Sequence, residues 1–196
     1  MTPVRIKTIS EFLKWRGLPK PAHPLITLVD YADIKFLPAD NANVSAVFDF
    51  YSIAIKRDAV GKLFYGHEEY DFDEGVMFFT APNQVLRLTE EQISADRSGW
   101  ILFVHPDFFW NTSLAVSMKK YKYFGYSINE ALFLSEKEEK KINTIIQNIR
   151  EEYDGNIDNF SKEIIISQLE TLLNYAERFY NRQFITRERS AHQILV

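Results

Sequence analysis

Four histidines stand in the chain, His23, His67, His105 and His192, and no two are close in sequence. Metal sites on small β-barrels draw on histidines and a glutamate, and ligands need only meet in space. His67, Glu69 and His105 could meet across strands, but no local ligand pair marks such a site. His67 therefore reads as a loop residue, His105 as a strand-end residue, and the chain as metal-free. There is no cysteine to act as nucleophile or thiolate ligand, and no serine sits in a Gly-x-Ser-x-Gly elbow. Paired carboxylates at Glu68-Glu69, Glu90-Glu91 and Glu151-Glu152 flank turns or lie on expected helix surfaces, so they read as solvated charge. The 7 glycines form no phosphate-binding cluster. The residues with most to offer are aromatic. Tyr51, Tyr70, Phe72, Phe79, Trp100 and Phe103 form a candidate inner face, with Asp49 as one polar contact on the parity of Tyr51. Such rings line ligand pockets and fill cores equally well, and both readings stay open.

The elements that must carry these residues are short strands. Leu63–Leu88 reads as strand, turn, strand, turn, strand, with turn signals at Asp73-Glu74-Gly75 and Ala81-Pro82-Asn83. Further strands are expected over Leu25–Tyr31, Ile34–Phe36, Lys62–Tyr65 and the apolar run Gly99–His105. Val44–Lys56 reads as one long β-rich stretch. Its odd face, Tyr51, Ile53 and Ile55, is expected inward because Lys56 prefers water. This close strand spacing predicts an antiparallel barrel or sandwich. A short helix is expected at Ile9–Arg16, with Ser10 as cap and Gly17 as stop.

After Pro106 the chain changes character. Leu114–Lys120 reads as a short helix and Tyr121–Leu134 as irregular. Ser135 and Glu138 then form a capping box ahead of Ile142, Ile145, Ile146, Ile149 and Tyr153 on one helical face, and Gly155 stops that helix. A second helix is expected from Phe160 to Arg182. Its stripe of Leu169, Leu172, Leu173, Ala176, Phe179 and Tyr180 is wider than one seam needs. One side can serve the fold and the other a dimer. The fold class is therefore α+β, a strand-rich half followed by a helical hairpin. The divisions are 1–112, 113–182 and a linker over 183–196, which ends where an apolar run begins and so reads as truncated.

Composition narrows the functions further. The chain has 196 residues, 46% apolar and 26% charged, with 16 Phe, 10 Tyr and 3 Trp. That mix can build a sizeable core. A net charge of −4 argues against a broad nucleic-acid surface on this piece. The N-terminus lacks an apolar signal core, no run reaches membrane-spanning length, and cysteine is absent, so a reducing cytoplasm is expected.

Three stretches together resemble a known family. They are GKLFYG…YDFDEGVMFFTAPNQ, GWILFVHPDFFWNTSL and NEALFLSEKEE…NFSKEIIISQLETLLNYAERFYNRQFITR. They look like the N-terminal domain of AraC-type transcriptional regulators, in the branch common in Bacteroidetes. The resemblance covers about Ile9–Arg189, and the block ending LLNYAERFYNRQF is its most specific part. It implies a cupin-like barrel that senses a small molecule, followed by helices that form a homodimer. It also implies DNA binding through a following helix-turn-helix domain that this chain lacks. The histidine pair of metal-binding cupins would fall within Tyr51–Gly61 and their late histidine near Leu86–Arg87, where none stands. No cofactor is expected. The competing reading is a stand-alone cupin enzyme, a metal-dependent dioxygenase or isomerase. A further alternative is a barrel without a cavity that serves only as a dimer scaffold.

Overall fold

The computed structural model describes residues 3–34, 43–57, 63–65, 68–70, 75–89, 98–125, 131–155 and 158–193. The chain begins with β1 (Val4–Ile6) and α1 (Ile9–Trp15). Thr8, rather than Ser10, caps α1, in a reciprocal box with Glu11. Then come β2 (Ile26–Asp30), β3 (Asn43–Phe48), β4 (Tyr51–Arg57), β5 (Leu63–Tyr65), β6 (Glu68–Tyr70), β7 (Val76–Thr80), β8 (Val85–Thr89) and β9 (Ser98–Val104). The helical part holds α2 (Ser113–Ser117), the two-residue β10 (Leu132–Phe133), α3 (Glu136–Asp154) and α4 (Asn159–Gln193). The architecture is mixed α+β, with two main sheets in which antiparallel pairing dominates.

The pairings are nested. β2 pairs with β9, β3 with β8, β4 with β7, and β5 with β6 as the innermost hairpin. A bond ladder between β4 and β9 joins the β2–β9 and β4–β7 pairs into a five-stranded sheet of order β10-β7-β4-β9-β2. β3 and β8 form the second sheet with β1, which runs parallel to β3.

The stretch expected as one strand over Val44–Lys56 is thus two strands in two sheets. Asp49 and Phe50 are where the chain crosses. Arg5 holds the Asp49 carboxylate at 2.6 Å, and the Asp49 N–H donates to the Ile6 carbonyl. Alternation tells a residue's side of a strand but not which sheet the strand belongs to. The strand expected at Ile34–Phe36 falls mostly outside the described residues: Ile34, extended, follows a single 3-10 turn at Tyr31–Asp33, and residues 35–42 are not described.

Both faces of the five-stranded sheet are covered. One face meets the second sheet and α1, burying Phe12, Phe48, Phe50, Ala54, Ile101 and Phe103. The other meets the helices, burying Ile53, Ile55, Met77, Trp100 and Leu102 against Ile142, Ile146, Leu169 and Leu172. The odd face of β4 is therefore inward, but toward the helices, and the even face is covered too, with Ala54 buried and Ser52 and Lys56 partly so. Lys56 is tolerated near the strand end because its ammonium lies 6.0 Å from the Tyr31 ring centroid.

α3 starts at the Ser135–Glu138 capping box. α4 continues eleven residues beyond Arg182, through 183–193, where a linker is expected from the sequence. That stretch, QFITRERSAHQ, contains neither glycine nor proline to stop it. Gln183, buried, fastens α4 to β10. Its side-chain oxygen accepts the Phe133 N–H at 2.9 Å and its amide donates to the Ala131 carbonyl at 3.1 Å, as a neighbouring strand would. Among the described residues no helix is long and apolar enough to cross a membrane.

Candidate functional site

The seven candidate ligand residues do not share one chamber. Tyr51, Phe79 and Trp100 face the helices, whereas Phe103 faces the second sheet. Trp100 and Phe103 are three apart on β9, so they must point to opposite faces. Tyr70 is placed by its backbone alone, in β6, and Phe72 lies outside the described residues. Asp49 sits at the crossover, paired to Arg5, which also donates to Asn83.

Between the sheets the rings pack on one another. Phe48 and Phe50 stack at 5.0 Å, Phe12 and Phe103 approach to 4.6 Å, and Phe103 meets Phe50 edge-on at 5.6 Å. These contacts are a packed core in the ring geometries that aromatic pairs prefer.

On the helix face a second aromatic group joins Tyr51 and Phe79 to Phe109, Tyr123 and Phe124. Within it the Tyr123 hydroxyl donates to the Leu173 carbonyl at 2.8 Å, and that of Tyr121, stacked on Tyr123, donates to Asn174 at 2.9 Å. Burial pushes the phenol of Tyr51 up. Burial does the same for Tyr121, helped by Glu170 and Glu177, and for Tyr123, helped by Tyr121 and Glu177. Above the ordinary tyrosine value near 10, the unfolded chain loses these protons while the fold keeps them. Stability held below pH ~10 is therefore expected to fall as pH rises beyond it. A urea midpoint that drops between pH 9 and 11, with a part of the phenolate absorbance appearing only on unfolding, is the expected record; a flat midpoint would contradict it.

The six candidate dimer residues, Leu169, Leu172, Leu173, Ala176, Phe179 and Tyr180, are all buried within the chain's own core. Among the described side chains, the exposed large apolar residues of α4 are different ones, Phe160 and Ile164.

Of the histidines, His105 follows β9 and its Nδ1 accepts the Asp107 N–H, while His23 accepts the Leu25 N–H. His67 lies outside the described residues, and Glu69 and His192 are placed by backbone alone. Among the described residues no three His, Asp or Glu side chains are grouped to hold a metal ion.

The residues that sequence reading passed over surround Glu139. This carboxylate is 3% exposed. It accepts the Gly75 N–H at 2.9 Å, is ion-paired with half-exposed Arg57, and lies 3.4 Å from the Asn143 amide. Asn143 in turn accepts the Trp100 indole N–H at 2.9 Å. A signal was present: Glu139 precedes Ile142, Ile146 and Ile149 on the apolar stripe of α3, where a charge must find partners.

Gly75 is the residue this closeness requires, since a Cβ there would lie 2.8 Å from the Glu139 carboxyl carbon. Gly75→Ala is expected to cost about 1–3 kcal/mol, because Glu139 must give up bonds to move. In urea titrations the loss should shrink on a Glu139→Ala background; equal losses on both backgrounds would contradict the contact.

No protein-family model matches the chain, and no curated protein matches it.

Proposed function

We propose that the chain is the effector-sensing and dimerisation part of an AraC-type transcriptional regulator, working in the cytoplasm ahead of a helix-turn-helix DNA-binding domain. The observation that carries this reading is the nested strand order. β2 to β9, paired outermost with outermost and innermost with innermost, follow the order of a jelly roll, the double-sheet form that cupins share. The sheet-then-helices order agrees with the family, as do the residues that resemble it.

α4 also supports the reading. At about 1.5 Å per residue its 35 residues run about 50 Å, against roughly 40 Å across a compact chain of this size. A helix of that length can reach past the body and pass a change onward. In this reading a second copy meets the outward row of α4 at Phe160 and Ile164, because the broader stripe is occupied internally. A ligand shifts the regulator only if it binds two arrangements of the dimer or the final helix with different affinity.

The test is selection from a pool of random duplex DNA at low salt, with residues 1–196 and with the full product of the gene. The full product should enrich one motif and the chain alone none. A motif enriched by residues 1–196 alone would overturn the domain assignment. Failure of the full product to enrich any motif would favour the stand-alone enzyme.

A further inference from the structure

An open groove runs between the outer side of α3 and the ends of β4 and β9. Its inner part, about 260 Å³, has Ile55, Gly99 and Trp100 in its lining, together with Arg57, Asn143 and Arg150. An outer part of about 480 Å³ shares Arg57 and Asn143 and extends past Lys140.

The polar groups of the inner part are held from behind. Buried Glu139 fixes Arg57. Asp30 grips Arg150 with two bonds of 2.7 and 3.1 Å. Trp100 orients Asn143. These bonds consume acceptors and leave donors. Both Asp30 oxygens are engaged, the Asn143 oxygen is taken, and the Glu139 oxygens receive Gly75, Arg57 and Asn143. A guanidinium carries five N–H groups, so each arginine keeps some unspent. Formal charge gives no positive excess here: Arg57, Arg150 and Lys140 stand against Asp30, Glu136 and Glu139, and Asp33 and Asp154 also act on Arg150. Recognition would therefore rest on short-range donors rather than on a long-range field. The space between the sheets is packed with phenyl rings, whereas this groove reaches the same sheet without displacing any of them.

We propose that the groove binds a small molecule by its oxyanion, a carboxylate or a phosphate, received by the guanidinium groups of Arg57 and Arg150 with the Asn143 amide as a further donor. Fixed, pre-oriented guanidinium groups suit such a group because both of its oxygens can be met at once. The site goes beyond the regulator reading and does not depend on it, since binding is read in this chain alone.

Sodium succinate and inorganic phosphate, titrated separately into the ¹⁵N-labelled chain at constant ionic strength, distinguish the two sources. At least one should shift the Trp100 indole N–H saturably, with Kd at or below about 1 mM. The variant Arg57→Gln/Glu139→Gln removes both charges of the pair together and keeps an acceptor for Gly75. It should weaken binding about tenfold or more, the effect of losing a charged hydrogen bond. Arg150→Gln should do the same and serves if the double variant fails to fold. Two results would overturn the site: no saturable shift with either probe, or a folded variant that binds as tightly as the parent.

Discussion

Leu172→Glu is expected to unfold the chain rather than divide a dimer. Leu172 is 0% exposed and sits where α4 meets α3 and the five-stranded sheet. The substitution removes a buried apolar side chain and puts a carboxylate in its place, among buried apolar residues of the helix-facing core. Losing the leucine costs about 2–5 kcal/mol, and an unpaired buried charge adds several more. A domain of this kind has about 5–15 kcal/mol in all. Circular dichroism should show lost helix at a temperature where the parent is folded. A variant that keeps its spectrum and urea midpoint but sediments as a smaller species would place Leu172 on a subunit seam instead.

Phe103→Ala is the second large effect. Phe103 is 2% exposed and touches Phe12, Phe48 and Phe50. Truncation should cost about 3–5 kcal/mol, because the facing rings belong to α1, β3 and the crossover at Phe50 and cannot all move inward. A ring lining an empty ligand chamber would behave differently: little packing would be lost without ligand, and the change would stay near 1 kcal/mol or less. Urea unfolding of the ligand-free protein separates the two.

Helices were the most legible part of the chain. The Ser135–Glu138 box and the isoleucine stripe after it placed α3, because both signals are local. The α4 stripe was legible as an apolar face, but its partner was not. Leu169 through Tyr180 look alike whether a second chain or α3 and β10 cover them.

Strand pairing was less legible. The step at Asp49-Phe50 interrupts no alternation, and what marks it is Arg5, more than forty residues away. β1 and β10 are three and two residues long, too short for a period to show. Tyr51, Phe79, Trp100 and Phe103 share one inner face only if the sheet has a single inside. It has two covered faces, and parity alone separates Phe103 from Trp100. The Glu139 cluster joins four distant points of the chain, and only the glutamate's place among isoleucines hinted at it.

The regulator reading stands or falls most directly on the reading frame downstream of codon 196. Sequencing the gene through that point should show α4's frame continuing into a segment with two helix-turn-helix units, each a pair of short amphipathic helices joined by a tight turn. A stop codon directly after Val196 would leave the sensor without an output and contradict the account.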